Sequence, residues 1–361
     1  MLDFTSALYL GLDHASRCLP EWDRLTLGKP AALEAPPGTS SMEGKLATLM
    51  GCERALLATS TLHLFWDLFA LLAKAKVNIF LDAGSYPIVR WGVERAACSG
   101  TLVKTFRQHD TNDLKKALAT ADGKPPVVVA DGYCPGCGRL APITEYLAQA
   151  TARDGFVVVD DSQALGIFGK PARWAPYGTG GGGSMQRASL NSDRLIVGSS
   201  LAKAFGVPVA VLAGSAALVD EYERQSATRV HCSPPSSAVI AALDRALAIN
   251  RWHGDALRMK LALRVSRFRR GLRRLGVVGT PSLFPVQPIT LPKHVDAQKV
   301  HAELRERGVD AVLHRGERGK NAQISFVVTA RHGRSDIDRA LANLADASRL
   351  KMEGRTILER S

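Results

Sequence analysis

Short apolar runs rich in valine and leucine recur along the first two thirds of the 361-residue chain, and helical segments separate them. Strands that are apolar throughout are typical of a sheet that is buried on both faces. A hydrophobic fraction of 46% also supplies enough residues for a large core. We therefore predict an α/β fold with a mostly parallel sheet. The predicted strands are residues 54–58, 77–81, 101–106, 126–130, 156–159, 195–198 and 209–212.

The pattern changes after Pro234 and Pro235. A long helical stretch to about residue 275 is followed by shorter elements, which is typical of a smaller α+β unit. These predicted elements lie at 286–291, 296–307, 324–329 and from 335 onward. The sequence thus predicts an N-terminal irregular segment, a large domain and a small C-terminal α+β domain, at residues 1–35, 36–240 and 241–361.

No apolar run is long enough to span a bilayer, and residues 1–4 lack the basic and apolar regions of a signal peptide. We therefore expect a cytoplasmic protein with no membrane partner. Six scattered cysteines argue against a disulfide framework. Cys134 and Cys137 form a CxxC pair, for which metal binding, redox activity or a plain reduced loop can be considered. Because no second pair or nearby histidine accompanies it, we expect the reduced loop and no metal site.

Much of the net charge of +13 comes from one basic stretch near residues 257–274. Apolar residues interleave with the cations, which predicts an amphipathic helix with a solvated basic face. No aromatic ladder or nucleic-acid-binding motif is present, so nucleic-acid binding is not expected. Attraction of an acidic substrate or carrier, such as coenzyme A or an acyl carrier protein, stays open. The predicted basic face contains Arg258, Lys260, Arg264, Arg267, Arg269, Arg270, Arg273 and Arg274.

One segment with residues suited to chemistry begins where an apolar strand ends. Asp160 and Asp161 end the strand, Ser162 and Gln163 follow, and the segment reaches Gly166. In an open α/β sheet, ligands bind at the carboxyl ends of strands. Aspartate also ends strands simply because it favours turns. From this segment alone, a binding site and a structural turn are equally compatible.

A second segment places Lys203 three residues after Ser200, at the end of another predicted strand. A lysine in a loop is usually a solvated charge. Here Ala202, Ala204 and Phe205 would remove water from the amine, which lowers its pKa and suits it to Schiff-base chemistry. The Ser200 hydroxyl is well placed to bind a phosphate.

Together the two segments resemble the α-oxoamine synthases, fold-type I enzymes that depend on pyridoxal 5'-phosphate (PLP). Asp160-Asp-Ser-Gln-Ala-Leu-Gly166 is similar to the family's Asp-(Asp/Glu)-(Ala/Ser)-His-x-x-Gly motif. Ser199-Ser-Leu-Ala-Lys-Ala-Phe-Gly206 is similar to its Gly-Thr-Leu-Gly-Lys-Ala-Phe-Gly motif. The resemblance implies the fold-type I architecture, PLP as cofactor and transferase activity. Shorter similarities occur in the same order at residues 9–12, 52–57, 82–88, 108–110, 131–142, 286–288 and 336–338.

The resemblance implies three catalytic residues. Lys203 would hold PLP as an aldimine, and Asp160 would pair with the protonated pyridine nitrogen, which keeps the ring an electron sink. Tyr86 stands in place of the family's histidine that stacks on the ring, and an aromatic side chain suits that position.

Further cofactor contacts and an assembly follow from the same resemblance. Gln163 replaces a family histidine and would donate a hydrogen bond to the ring oxygen. Ser200 and the backbone amides of Thr61 and Leu62, at a helix start, would hold the phosphate. Because fold-type I enzymes usually build their sites at a dimer interface, the resemblance also implies a homodimer.

The chain departs from the family where a C-terminal strand carries the arginine that binds the substrate carboxylate. Ser325 occupies this position before Thr329-Ala-Arg-His332. Serine cannot form the bidentate pair that a guanidinium makes with a carboxylate. Either the substrate lacks a free α-carboxylate, or another arginine binds it. Arg315, Arg318 and Arg331 are the candidates by proximity in sequence.

Three functions are compatible with these observations. We favour an acyltransferase that joins an amino acid or amine to an acyl thioester with formation of a C–C bond. Another PLP reaction on the same scaffold, such as transamination or C–C bond cleavage, is the alternative, because Tyr86 and Gln163 replace histidines. A non-catalytic binding protein is disfavoured because Lys203 is retained.

Overall fold

The computed structural model describes residues 1–292, 294–314 and 322–348. Within them, the backbone divides into two units. The larger unit contains Leu12–Cys134 and Leu140–Asp255. The smaller unit contains Met1–Gly11, Pro135–Arg139 and the chain from Ala256 onward. This division falls inside a long helix, and the domain boundary placed at residue 240 from the sequence stays a prediction.

Sixteen strands occur in the described residues. They are β1 (Leu2–Phe4), β2 (Arg54–Ala58), β3 (Asn78–Asp82), β4 (Val103–Phe106), β5 (Pro126–Asp131), β6 (Tyr133–Cys134), β7 (Arg139–Leu140), β8 (Phe156–Asp160), β9 (Lys170–Ala172), β10 (Ala175–Thr179), β11 (Leu195–Ser200), β12 (Ala210–Gly214), β13 (Val278–Gly279), β14 (Val286–Thr290), β15 (Val309–His314) and β16 (Gln323–Val327).

Eleven α-helices occur in the same part of the chain, besides one 3-10 turn at Ser16–Cys18. They are α1 (Thr39–Met50), α2 (Thr61–Lys74), α3 (Pro87–Cys98), α4 (Thr111–Leu118), α5 (Ile143–Thr151), α6 (Gly183–Arg187), α7 (Ala216–Gln225), α8 (Ala227–His231), α9 (Ser237–Arg274), α10 (Ala297–Glu306) and α11 (Arg334–Ser348).

A seven-stranded sheet forms the centre of the larger unit. Its strand order is β2-β12-β11-β8-β5-β3-β4, and only β12 runs antiparallel to its neighbours among the described strands. The predicted α/β fold with a mostly parallel sheet is therefore confirmed. Such a sheet needs helical crossovers between its strands, and these helices cover its faces.

The buried strand residues divide between the two faces of this sheet. Leu56, Ile79 and Val158 belong to an apolar cluster that includes residues of α2, α3 and α7. The intervening Phe80 and Val128 are equally inaccessible to solvent, so the opposite face is covered too. Full burial of each such side chain contributes about 1.5–3 kcal/mol relative to exposure. This double burial explains why the strands are apolar throughout.

The smaller unit has a five-stranded sheet with the order β1-β15-β16-β14-β13. β1 pairs with β15 in parallel, and the other pairs are antiparallel. Phe4 of β1 is fully buried, stacks on His332 at 4.1 Å between ring centroids and contacts Phe268 and Phe326. Residues 2–4 are thus ordered by tertiary contacts, although the sequence predicted an irregular segment there.

The basic stretch forms the second half of α9, as predicted. Lys260, Arg270, Arg273 and Arg274 are exposed. Arg258 corrects the prediction, because it is only 2% exposed and lies in the core instead of on the solvated face. A helix with cations on most of its circumference must turn some of them inward. In the part of the chain that the structure describes, no helix is long and apolar enough to cross a membrane.

Candidate active site

The carboxyl ends of the parallel strands lie at one edge of the large sheet. The register aligns Ser200 of β11 with Ala210 of β12, and Ala210 with Ala58 at the end of β2. On the other side of β11 lies β8, whose Asp160 aligns with Asp131 of β5. Because adjacent strands are about 4.8 Å apart, these residues share a narrow strip. Ligands bind at this edge in open α/β sheets.

Asp160 is the last residue of β8 and is 5% exposed. Its Oδ1 accepts a hydrogen bond from the backbone amide of Ser162 at 2.9 Å. Burial raises the pKa of the Asp160 carboxyl, while the bonds from Ser162 and the charge of Lys203 oppose that rise. A buried carboxylate is stable only with cations and donors around it, so this position favours a positively charged ligand group.

Lys203 lies on the loop that connects β11 to β12. Leu201 and Phe205 of this loop are buried, and the amide of Gly206 donates to the Lys203 carbonyl at 3.2 Å. Burial lowers the pKa of the Lys203 amine, and the charges of Asp160 and Asp131 act against this effect. The amine is partly desolvated, and Ala204 and Phe205 are buried as expected, whereas Ala202 is exposed and does not remove water as predicted.

The two motif segments pack against each other through Gly166. This glycine has φ +84°, and a Cβ there would lie 2.6 Å from the Cβ of Ala204. Both the backbone conformation and the close approach therefore exclude a side chain. The contact fixes the turn after β8 against the Lys203 loop, which explains why each segment contains small residues at this point.

His14 holds the Lys203 loop from another direction. Its Nε2 donates to the carbonyl oxygen of Phe205 at 2.8 Å, because a carbonyl can only accept. Sequence reasoning missed this residue, since a single histidine in an irregular segment carries no periodic or motif signal.

The start of α2 provides free backbone amides near the end of β2. Ser60 is the N-cap, and its Oγ accepts from the amide of His63 at 3.4 Å. The amides of Thr61 and Leu62 belong to the first turn and have no carbonyl partner within the helix. Ser200, at the same sheet edge, accepts from the amide of Ala202 at 3.3 Å through its Oγ. Its hydroxyl hydrogen can therefore be donated to an anion.

Tyr86 directly precedes α3 and lies beside the Lys203 amine. Its ring centroid is 5.9 Å from Lys203 Nζ, and the side chain is 54% exposed. Gln163 lies in the turn after β8 and is partly buried. The structure thus brings all the predicted site residues to the strand ends or the loops and turns that follow them.

The chain matches a known family over residues 19–344, the aminotransferases of class I and II. The chain belongs to this family. It is 30% identical to the 8-amino-7-oxononanoate synthase of Sodalis glossinidius (strain morsitans), over 96% of this chain and 88% of the relative. It is 28% identical to the enzyme of the same name from Alcanivorax borkumensis, over 84% of this chain and 76% of the relative.

Solved structures of related proteins share the fold of this family member. Sphingomonas wittichii serine palmitoyltransferase superposes with a TM-score of 0.83 at 19% identity, over 95% of this chain and 86% of that one. The 8-amino-7-oxononanoate synthase of Francisella tularensis superposes with a TM-score of 0.74 at 18% identity, over 96% of this chain and 97% of that one. The resemblance to α-oxoamine synthases and the fold-type I architecture are confirmed. The protein is a PLP-dependent transferase.

The residues at the sheet edge suit the three polar parts of PLP. Asp160 offers a buried carboxylate to a ring nitrogen. Among the described residues, Lys203 is the cation whose charge acts on Asp160, and a protonated ring nitrogen would supply a second positive charge. Lys203 offers a desolvated amine to the aldehyde carbon. The first turn of α2 and the Ser200 hydroxyl offer donors to the phosphate. The donor set of this family member therefore fits its cofactor.

Ser325, which the resemblance predicts at the position of the family's carboxylate-binding arginine, contacts a neighbouring strand of the smaller unit. It is 2% exposed, and its Oγ lies 2.9 Å from Nε2 of His314 on the neighbouring strand. The Nε of Arg331 donates to the carbonyl of Gly11 at 2.7 Å. Arg315 and Arg318 lie outside the described residues. Which arginine serves a substrate carboxylate stays a prediction.

Proposed function

We propose that this enzyme joins an amino acid or amine to an acyl thioester, with Lys203 as the lysine that holds PLP. The observation that carries the proposal is the desolvated Lys203 amine, which faces the charge of Asp160 and lies beside the ring of Tyr86. The relatives named 8-amino-7-oxononanoate synthase and serine palmitoyltransferase support this reaction class.

In the proposed reaction, the carbon that bears the amine forms a bond to the acyl carbonyl carbon, and the thioester C–S bond breaks. The amine-bearing carbon gives up a proton or, in an amino acid, its carboxyl group as carbon dioxide. The departing thiolate takes up a proton. PLP supplies an electron sink that stabilises negative charge at the reacting carbon.

The side chains of the chain itself would divide the remaining tasks. The Lys203 amine, whose lowered pKa favours its unprotonated form, would accept and return the proton at the reacting carbon. Asp160 would keep a proton on the ring nitrogen of the cofactor. Tyr86 would stack on the ring, and Gln163 would donate to the ring oxygen. Ser200 and the amides of Thr61 and Leu62 would hold the phosphate.

Transamination, or another reaction that makes or breaks a C–C bond, is the second candidate. The replacement of two family histidines by Tyr86 and Gln163 favours it, since neither side chain titrates near neutral pH as imidazole does. Asp160 and Lys203 serve both reactions equally well. The two functions differ in their second substrate, which is an acyl thioester in one and a keto acid in the other.

We also propose the cellular setting that the family resemblance implies. The enzyme would act in the cytoplasm as a homodimer on small molecules, with acyl-CoA or an acyl carrier protein as donor. No nucleic-acid or membrane partner is proposed. The α9 cations, which include the exposed Arg270 and Arg274, support attraction of an acidic donor.

Thiol release measures the proposed reaction directly. The PLP-loaded protein is incubated with a panel of amino acids and acyl-CoAs, and free thiol is followed with a chromogenic reagent. We expect amino-acid-dependent thiol release, which Lys203→Ala abolishes and Lys170→Ala retains, because Lys170 is an exposed lysine on β9. Transfer of the amine to keto acids without any thiol release would instead establish the second candidate.

A further inference from the structure

Three neighbouring strands of the large sheet end in aspartate. Asp82 ends β3, Asp131 ends β5 and Asp160 ends β8. Asp131 lies on the central one of these strands and aligns directly with Asp160. Carboxylates this close in a largely desolvated place repel one another, and a proton on one of them relieves the repulsion.

The hydrogen bonds show which carboxyl is best suited to carry that proton. Asp82 accepts three bonds, from the amides of Gly84 and His109 at 2.7 and 3.0 Å and from the Tyr146 hydroxyl at 3.0 Å. Such donors stabilise the charged form. Asp160 has the Ser162 bonds and the charge of Lys203. The charge of Lys203 acts on Asp131 as well, but among the described residues Asp131 accepts a hydrogen bond only from the Tyr86 amide, so it is the carboxylate with the fewest donors.

In the part of the chain that the structure describes, the single donor to Asp131 is the backbone amide of Tyr86. It lies 3.1 Å from Oδ1 of Asp131. Tyr86 is the N-cap of α3 and precedes Pro87, so this bond fixes the residue at which the chain enters the helix. The same residue carries the ring that lies 5.9 Å from Lys203 Nζ. The carboxyl of Asp131 thus connects the strand ends to the aromatic ring beside the lysine.

We propose that Asp131 is a positioning residue with a neutral carboxyl, which anchors Tyr86 beside Lys203 and keeps a second negative charge away from Asp160. The inference rests on the proposed roles of Lys203, Asp160 and Tyr86. The carbonyl oxygen of Asp131 accepts the Tyr86 amide, and its proton removes a negative charge that would repel the charge of Asp160.

The groups that act on Asp131 come from its two neighbouring strands, β3 and β8, from the residue before α3 and from the Lys203 loop. Burial raises the pKa of Asp131 to about 8, with Asp160 of β8 as the next cause and Asp82 of β3 adding to it. The Tyr86 amide and Lys203 act in the opposite direction. Asp131 is therefore neutral at pH 7 and becomes charged as the pH rises through about 8.

Infrared spectra test the protonation state without any turnover. The PLP-loaded wild type and Asp131→Asn are titrated, and the carbonyl stretch of protonated carboxyl groups is compared between them. We expect a band in the wild type that disappears with a midpoint near pH 8 and has no counterpart in the variant. Asp161, whose pKa is raised to about 6, contributes a band that both proteins share. The inference would be overturned if the wild type had no additional band with a midpoint near pH 8, or if that band persisted in Asp131→Asn. Neither result depends on which reaction the enzyme catalyses.

Turnover tests the positioning of Tyr86. Asparagine copies the neutral acid, so Asp131→Asn is expected within about twofold of the wild-type kcat at pH 7, and to lose the wild-type change near pH 8. Asp131→Leu lacks the acceptor and is expected to lose about tenfold in kcat. In a Tyr86→Ala background, Asp131→Leu should have no further effect, because the residue acts through Tyr86.

The outcomes separate positioning from a purely structural role. Equal losses in Asp131→Asn and Asp131→Leu would contradict the neutral carboxyl. A full loss in Asp131→Leu that remains in the Tyr86→Ala background would contradict action through Tyr86. If no substrate is turned over, the visible absorbance of the PLP-loaded protein is titrated instead, and Asp131→Asn is expected to remove a spectral transition near pH 8.

Discussion

Lys203 owes its properties to a few contacts that lie outside its own segment. Gly166 approaches Ala204 so closely that a methyl group would not fit, and His14 holds the carbonyl of Phe205. The Gly166 contact packs the loop against the turn that follows Asp160, and the His14 hydrogen bond holds the loop from another side. The amine thereby becomes desolvated beside a buried carboxylate. This combination separates Lys203 from the exposed lysines of the chain.

The visible spectrum reports on Lys203 directly. The PLP-loaded wild type is expected to absorb in the visible region, in a band that reduction with borohydride removes. Lys203→Ala should lack this band because the variant has no amine at that position to hold the aldehyde carbon. Absorbance before and after borohydride measures the difference.

Lys170→Ala serves as the matched control for this spectrum, because Lys170 is exposed on β9. It should retain both the band and its sensitivity to borohydride. A borohydride-sensitive band of full intensity in Lys203→Ala would assign the cofactor to a different lysine.

Among the elements, β1 contributes more to the smaller unit than its three residues suggest. Phe4 is fully buried and packs on Phe268, Phe326 and His332. The Nε2 of His332 also lies 2.9 Å from the carbonyl of Asp3. The strand therefore closes the edge of the sheet next to β15.

Phe4→Ala is expected to destabilise the smaller unit by about 3–5 kcal/mol, because it removes a buried ring and leaves a cavity. Urea denaturation measures the loss, and hydrogen exchange of the β15 amides localises it. Leu263→Ala is the control, since Leu263 is 58% exposed on α9 and should change stability by less than about 0.5 kcal/mol. Unchanged exchange of β15 in Phe4→Ala would contradict the role given to β1.

Elements with a clear hydrophobic pattern could be predicted from the sequence, and elements that depend on tertiary contacts could not. The valine runs of β5 and β8 indicated buried strands. Helix α3 carried a weaker signal, because it packs on α2 through Gly92, where a Cβ would lie 2.5 Å from the Phe69 ring. A glycine contributes nothing to hydrophobic periodicity. β1 could not be predicted because three residues become a strand only through β15.

For the whole molecule, acids whose pKa is raised by folding contribute to the pH dependence of stability. Burial raises the pKa of Asp131 to about 8 and that of Asp161 to about 6, both above the ordinary value of an unfolded aspartate. An acid whose pKa is raised by folding stabilises the fold fully below its unfolded pKa. That contribution is lost as the pH rises through the folded pKa. As these two groups ionise, the free energy of unfolding therefore falls while the pH rises from about 4 to about 8.

Asp131→Asn should remove part of this dependence. We expect its thermal unfolding temperature to exceed that of the wild type by a few °C at about pH 9, and to match it more closely at about pH 5, because asparagine cannot ionise. Differential scanning calorimetry at the two pH values measures the effect. A variant that is destabilised more at the higher pH than at the lower would show that the charged carboxylate is the stabilising form.

At this scale the sequence indicated the site through its two motifs, and the fold added the groups around them. Asp160 and Lys203 could be named because each lies in a recognisable motif that follows a predicted strand. Asp131 also ends a valine run, but its influence depends on its alignment with Asp160, which only the sheet register provides. The burial of Arg258 and the pairing of Ser325 with His314 depend on tertiary packing and carried no local signal.

The pairing of β1 with β15 has a consequence for synthesis on the ribosome. Leu2 aligns with Val309, so the partner strand is translated about 300 residues later. At about 5–20 residues per second, the first strand waits roughly 15–60 s before it can pair. During this interval the apolar side chain of Phe4 has no native partner, while the larger sheet can already form. Formation of the larger sheet would thus be followed by a delayed step, in which residues 2–4 pair with residues 309–311.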